Sequence, residues 1–169
     1  MPSPFQIEPQ TKLNWCWAAV AATVSRYFFP TIALGQCGIA KDVLHTTADC
    51  CGNGAAECNQ PALLEDALAT VNTLLKQSLK NQVVGRFLRF EEIRAQIDSG
   101  RPVCVRIQWI DDQRGHFVMI CGYSVSASGE QWVDVADPYW GNSILPYPQL
   151  VSSYLDAGKW SDSYLVNQA

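Results

Sequence analysis

The hydrophobic and polar positions change their pattern partway along the chain. WCWAAVAATVSRYF (15–28) is rich in alanine and ends before Pro30, which predicts a helix. PALLEDALATVNTLL (61–75) opens on a proline, a residue tolerated in a first helical turn, and predicts a second. FEEIRAQIDSG (90–100) sets Phe90, Ile93 and Ile97 at helical spacing with Gly100 as a stop. A short helix is expected around 36–44, followed by an irregular segment. Beyond residue 100 the pattern is that of strands. PVCVRIQWI (102–110), HFVMICGYSV (116–125) and QWVDVADP (131–138) are rich in β-branched and aromatic residues and are separated by turns containing Gly or Asp. Helices first and strands afterwards predict an α+β fold. A helical part over about 10–100 packs on an antiparallel sheet over about 101–169, with a cleft between them.

Composition narrows the function. The chain has 169 residues, a size suited to one domain, and no internal repeat or long linker is visible. Hydrophobic residues make up 48% and charged ones 17%, which is globular composition. A net charge of -4 without any Lys/Arg run argues against a nucleic-acid partner. The start, MPSPFQIEPQTKLN, lacks the basic and apolar regions of a signal peptide, and no apolar stretch is long enough to span a bilayer. The expectation is a monomer without membrane insertion, either cytoplasmic or exported by a specialised secretion system.

Seven cysteines are an odd number, so at least one free thiol is expected. Cys104 and Cys121 fall in strand-like runs and read as buried hydrophobes. Cys37, Cys50, Cys51 and Cys58 lack the CxxC pairs of a zinc site; under oxidising conditions Cys37 is expected to pair with Cys50 or Cys51.

The candidate chemistry lies in three places. Asn14 reads as an N-cap, which would put Cys16 in the first turn of a long helix, where unsatisfied N–H groups and the helix dipole favour a thiolate. A lone cysteine between Trp15 and Trp17 is more often a core residue, but Gln10, six positions upstream, is close enough to share an oxyanion with the Cys16 N–H. His116 follows Gly115 and opens an apolar strand, a well-held position for a base. His45 reads as structural or exposed. Asp137 ends a strand before Pro138, where its carboxylate can orient the imidazole; Asp134, on the same face, lies deeper in the sheet.

The order Gln10, Cys16, His116, Asp137, with Trp17 after the cysteine, GHFVMICGY in one strand and ADPYWG in the next, resembles the papain-like cysteine peptidases. Within that clan it most resembles compact bacterial members, the type III effector-type proteases and the leader-cleaving peptidase domains of bacteriocin exporters. The resemblance covers about Gln10 to Gly141. It implies Cys16 as nucleophile, His116 as base, Asp137 as its orienting group, Gln10 as oxyanion donor, a protein or peptide substrate, and no metal or organic cofactor. Trp15, Trp17, Gly115, Tyr139 and Trp140 flank these positions and are expected to bind substrate. Leu13 and Asp137 depart from plant papains, which carry cysteine and asparagine there. A Cys-His-Asp site also serves acyltransferases and transglutaminase-like enzymes, and a catalytically silent papain-fold binding module is the alternative from another class.

Overall fold

A computed structural model of the chain describes residues 5–52, 55–112 and 114–168. The elements run α1 (Cys16–Phe28), α2 (Gln36–Val43), α3 (Ala55–Cys58), α4 (Leu64–Leu75), β1 (Leu79–Val84), α5 (Phe90–Asp98), β2 (Val103–Trp109), β3 (Gly115–Val125), β4 (Gln131–Asp137), β5 (Gly141–Pro146), α6 (Tyr147–Ser152) and β6 (Gly158–Gln168). The six strands form one antiparallel sheet in the order β1-β6-β2-β3-β4-β5. This is the α+β, papain-like architecture expected from the sequence.

Helices cover both faces of that sheet. Along β3, Phe117 and Met119 face a core built with α1, α2 and α4, while Val118 and Ile120 face a second core built with α5 and α6. Burial on both sides explains why β2 and β3 read as nearly continuous apolar runs instead of alternating ones. Helix α1 is buried from Cys16 to Ser25, and its alanines let neighbouring elements approach closely from all round.

The boundaries of α5 and β2–β4 follow the sequence reading to within two residues. Gly100, with φ 69°, supplies the left-handed residue that stops the chain continuing beyond α5. Two expectations fail at helix starts. The second long helix begins at Leu64, not Pro61: Leu63 is extended, and the backbone before Pro61 is biased away from helix. Asn14 is not an N-cap; Trp15 occupies that position without a side-chain cap, because Asn14 is bonded to Asn59 instead. Strands β1, β5 and β6 went unforeseen, and β1 joins the sheet from within the stretch expected to be helical.

The cysteine-rich stretch is closed by two disulfides, Cys37–Cys51 and Cys50–Cys58. The first is one of the two pairings expected for Cys37; the second was not anticipated. Cys16, Cys104 and Cys121 stand outside any disulfide.

Candidate active site

Antiparallel pairing builds the site. Because β3 and β4 run in opposite directions, the start of β3 and the end of β4 meet at one end of the sheet, and residues 21 apart become neighbours. There the His116 Nε2 lies 2.9 Å from Asp137 Oδ1. Helix α1 points its first turn at the same place. Cys16 is its first residue, so the Cys16 N–H is among the donors that the helix cannot satisfy itself. The Cys16 side chain faces the same ring and is among the groups that raise its pKa. Cys16 is 8% exposed, His116 7% and Asp137 1%, so the chain of three groups descends from the cleft floor into the protein.

Asp137 is held from several sides. Its Oδ1 also accepts the backbone N–H groups of Tyr139 (2.8 Å) and Trp140 (3.0 Å), and its Oδ2 accepts the Tyr154 hydroxyl at 2.7 Å. Burial alone would favour the protonated carboxyl, but the hydrogen bond and charge of His116, with the Tyr154 and Trp140 donors, hold it below the usual carboxylate range. Burial likewise disfavours a charged imidazole. The bond to Asp137 and the neighbouring Cys16 outweigh it and raise the His116 pKa to about 9. Trp109 stacks on the imidazole with ring centroids 5.8 Å apart, and the Tyr154 ring stacks against Trp109 at 6.4 Å. This aromatic cover keeps water from the imidazole–carboxylate bond. Asp134, the competing carboxylate, instead packs against Gly122 at a bulge in the β3–β4 ladder.

A cleft of about 710 Å³ opens over Cys16 and His116. Gln10, Leu13, Asn14, Trp17, Pro61 and Ala62 line its helical wall, and Arg106, Trp109, Gly115, Tyr139 and Trp140 the sheet wall. Gly115 leaves room for the Arg106 guanidinium, which is fixed by Ser161 (3.0 Å) and Asp162 (3.8 Å); a Cβ at 115 would stand 2.7 Å from Arg106 Nε. Trp140 is 63% exposed at the rim. Trp15 departs from expectation. It is 0% exposed and does not line the cleft, since its indole N–H turns inward to the Cys58 carbonyl at 2.6 Å.

Gln10 lies in the cleft, and its backbone N–H donates to Pro138 O (2.9 Å), joining the N-terminal segment to the β4–β5 turn. Its amide is arranged differently from the simple expectation. Nε2 donates to the Lys12 and Leu13 carbonyls at 3.0 and 2.6 Å, while the buried Oε1 has no partner among the described residues. Both amide hydrogens are thus engaged within the turn that precedes Cys16. His45 is exposed at the end of α2, with φ 49°, away from this site.

Sequence reasoning overlooked Tyr154, Trp109, Arg106 and Asn59. Trp109 was within reach, since folding the two expected strands 102–110 and 116–125 into a hairpin pairs Ile107 with His116 and leaves Trp109 diagonal to it on the same face. Tyr154 carries no local signal.

The chain matches the model of the Peptidase_C39 like family over residues 3–162. No curated protein matches it. The match spans nearly the whole chain and includes every residue of the cleft, so by family as well as by fold the chain belongs to the Peptidase_C39-like family of papain-like cysteine peptidases.

Proposed function

We propose that the protein is an endopeptidase that cleaves peptide bonds through a Cys16–His116–Asp137 triad and a covalent acyl-enzyme. One observation carries this reading: Cys16 and His116 share the floor of one open cleft, and the His116 ring is bonded to the buried Asp137 carboxylate at 2.9 Å. The proton passes from Cys16 to His116, and the thiolate attacks the substrate carbonyl. The imidazolium then protonates the leaving amine, and water, deprotonated by His116, releases the acyl group. The Cys16 N–H stabilises the oxyanion. Gln10 joins it by exchanging one of its bonds to the Lys12 or Leu13 carbonyl for one to the substrate oxygen, a tightening expected on substrate binding. Trp17, Gly115, Tyr139 and Trp140 form walls against which an extended peptide lies. The two disulfides favour action where thiols are not kept reduced.

The test is turnover of a peptide library by wild type and variants, with circular dichroism as the check on folding. Cys16→Ala is expected to abolish turnover and His116→Ala nearly so. Gln10→Ala is expected to lower kcat about a hundredfold or more. Brief iodoacetamide labelling at neutral pH is expected to modify Cys16 before Cys104, which is fully buried and whose thiol is pushed up to about 12 by that burial. A folded Cys16→Ala protein that still cleaves the substrate would refute the mechanism.

A further inference from the structure

The turn ahead of the nucleophile does not hold its shape alone. Three consecutive residues far along the chain, Cys58, Asn59 and Gln60, receive hydrogen bonds from Trp15, Asn14 and Trp17 respectively. The Trp15 indole N–H donates to Cys58 O (2.6 Å) and the Trp17 indole N–H to Gln60 O (3.0 Å). Between them is a reciprocal pair: Asn14 N–H donates to Asn59 Oδ1 at 2.9 Å, and Asn14 Nδ2 donates to Asn59 O at 3.0 Å. The strip 58–60 is itself anchored, since Cys58 is buried and joined to Cys50.

These bonds bracket the oxyanion site. The Cys16 N–H is oriented by the Trp15–Cys16 peptide, whose direction depends on where Asn14 and Trp15 are held. Gln10, the second donor, is bonded to the carbonyls of Lys12 and Leu13 in the same turn. A backbone donor misplaced by about 1 Å loses about a hundredfold in rate. Of the groups on the strip, only the Asn59 side chain fixes this turn through an atom that a substitution can remove while leaving the strip's own backbone in place.

Resting on the hydrolytic reading above, we propose that Asn59 is a positioning residue for the oxyanion hole: its side-chain oxygen fixes the Asn14 amide and, through it, the direction of the Cys16 N–H. The residue touches neither substrate nor thiol. Its effect falls on the carbonyl-addition steps and spares the His116–Asp137 pair, which is held from the sheet side.

The experiment compares wild type, Asn59→Ala and Asn59→Asp. Asn59→Ala is expected to lower kcat by about tenfold to a hundredfold with KM within about twofold. Its rate of Cys16 alkylation by iodoacetamide should stay near wild type, because attack on a saturated carbon develops no oxyanion. Asn59→Asp keeps an acceptor oxygen and is expected to recover most of kcat. Wild-type kcat in Asn59→Ala overturns the proposal, and so does a parallel fall in turnover and alkylation, which is the mark of a general loosening of the site. Hydrogen exchange at the Asn14 amide gives a reading that needs no substrate: protected in wild type, it should exchange faster in Asn59→Ala, and unchanged protection overturns the proposal. If wild type cleaves no peptide, the hydrolytic reading fails by itself, and the exchange comparison still decides the role of Asn59.

Discussion

At the scale of single residues, the His116–Asp137 pair sets the pH behaviour. The folded-state pKa of His116 is raised to about 9, so its contribution to stability is complete below the ordinary imidazole value of about 6.5 and is lost as pH rises through about 9. Asp137 is depressed, so its contribution is present above the ordinary carboxylate value of about 3.9 and is lost as pH falls through the lower folded value. Thermal melts across pH are therefore expected to show a plateau between these limits. The alkaline limb of kcat/KM should fall near pH 9, where the imidazolium loses its proton, and Asp137→Ala should move that limb to lower pH while leaving weak activity. Tyr154→Phe removes a donor to a buried carboxylate, worth about 1.5–3 kcal/mol near neutrality. The loss should shrink in acid, where Asp137 is protonated. An alkaline limb that stays in place in Asp137→Ala would contradict this assignment.

At the scale of elements, the disulfides act on α1, which carries Cys16, from outside it. Cys37 lies on α2, which packs against α1, and Cys58 leads the strip that receives Asn14, Trp15 and Trp17. In the chain-entropy picture a 14-residue separation stabilises by about 3 kcal/mol, and the shorter bridge by somewhat less. Cys51 is exposed, whereas Cys50 and Cys58 are buried, so the two bridges differ in access. Graded reduction followed by peptide mapping is expected to open Cys37–Cys51 first with a modest fall in melting temperature. Opening of Cys50–Cys58 should follow, with a larger loss of turnover than of helix content. Opening in the reverse order, or turnover that survives loss of the buried bridge, would detach the disulfides from the site.

For the whole molecule, the last strand is not peripheral. β6 lies between β1 and β2, and Trp160, Tyr164 and Val166 are buried in the cores on the two faces of the sheet. Side chains of this size contribute about 2–3 kcal/mol each by burial, against a total stability of about 5–15 kcal/mol. Truncation before Gly158 is expected to abolish the cooperative thermal transition, although every proposed catalytic residue remains in the shortened chain. A truncated protein that still melts cooperatively would show that the sheet tolerates an open β2 edge.

The parts legible in the sequence were those whose signal is local. Alanine-rich α1, the spacing of Phe90, Ile93 and Ile97, and the apolar runs of β2–β4 each declare their element within a few residues, and the order of Gln10, Cys16, His116 and Asp137 carried the family. β1 (LKNQVV) and β6 (GKWSDSYLVNQ) look polar because only some of their positions are buried, and partners more than twenty residues away supply the rest of their stability. The hydroxyl that holds Asp137, the asparagine that holds Asn14, the inward turn of Trp15 and the engagement of the Gln10 amide were likewise decided by the tertiary structure. A buried donor or acceptor must find a partner, and the packing of the elements determines which one lies within 3 Å.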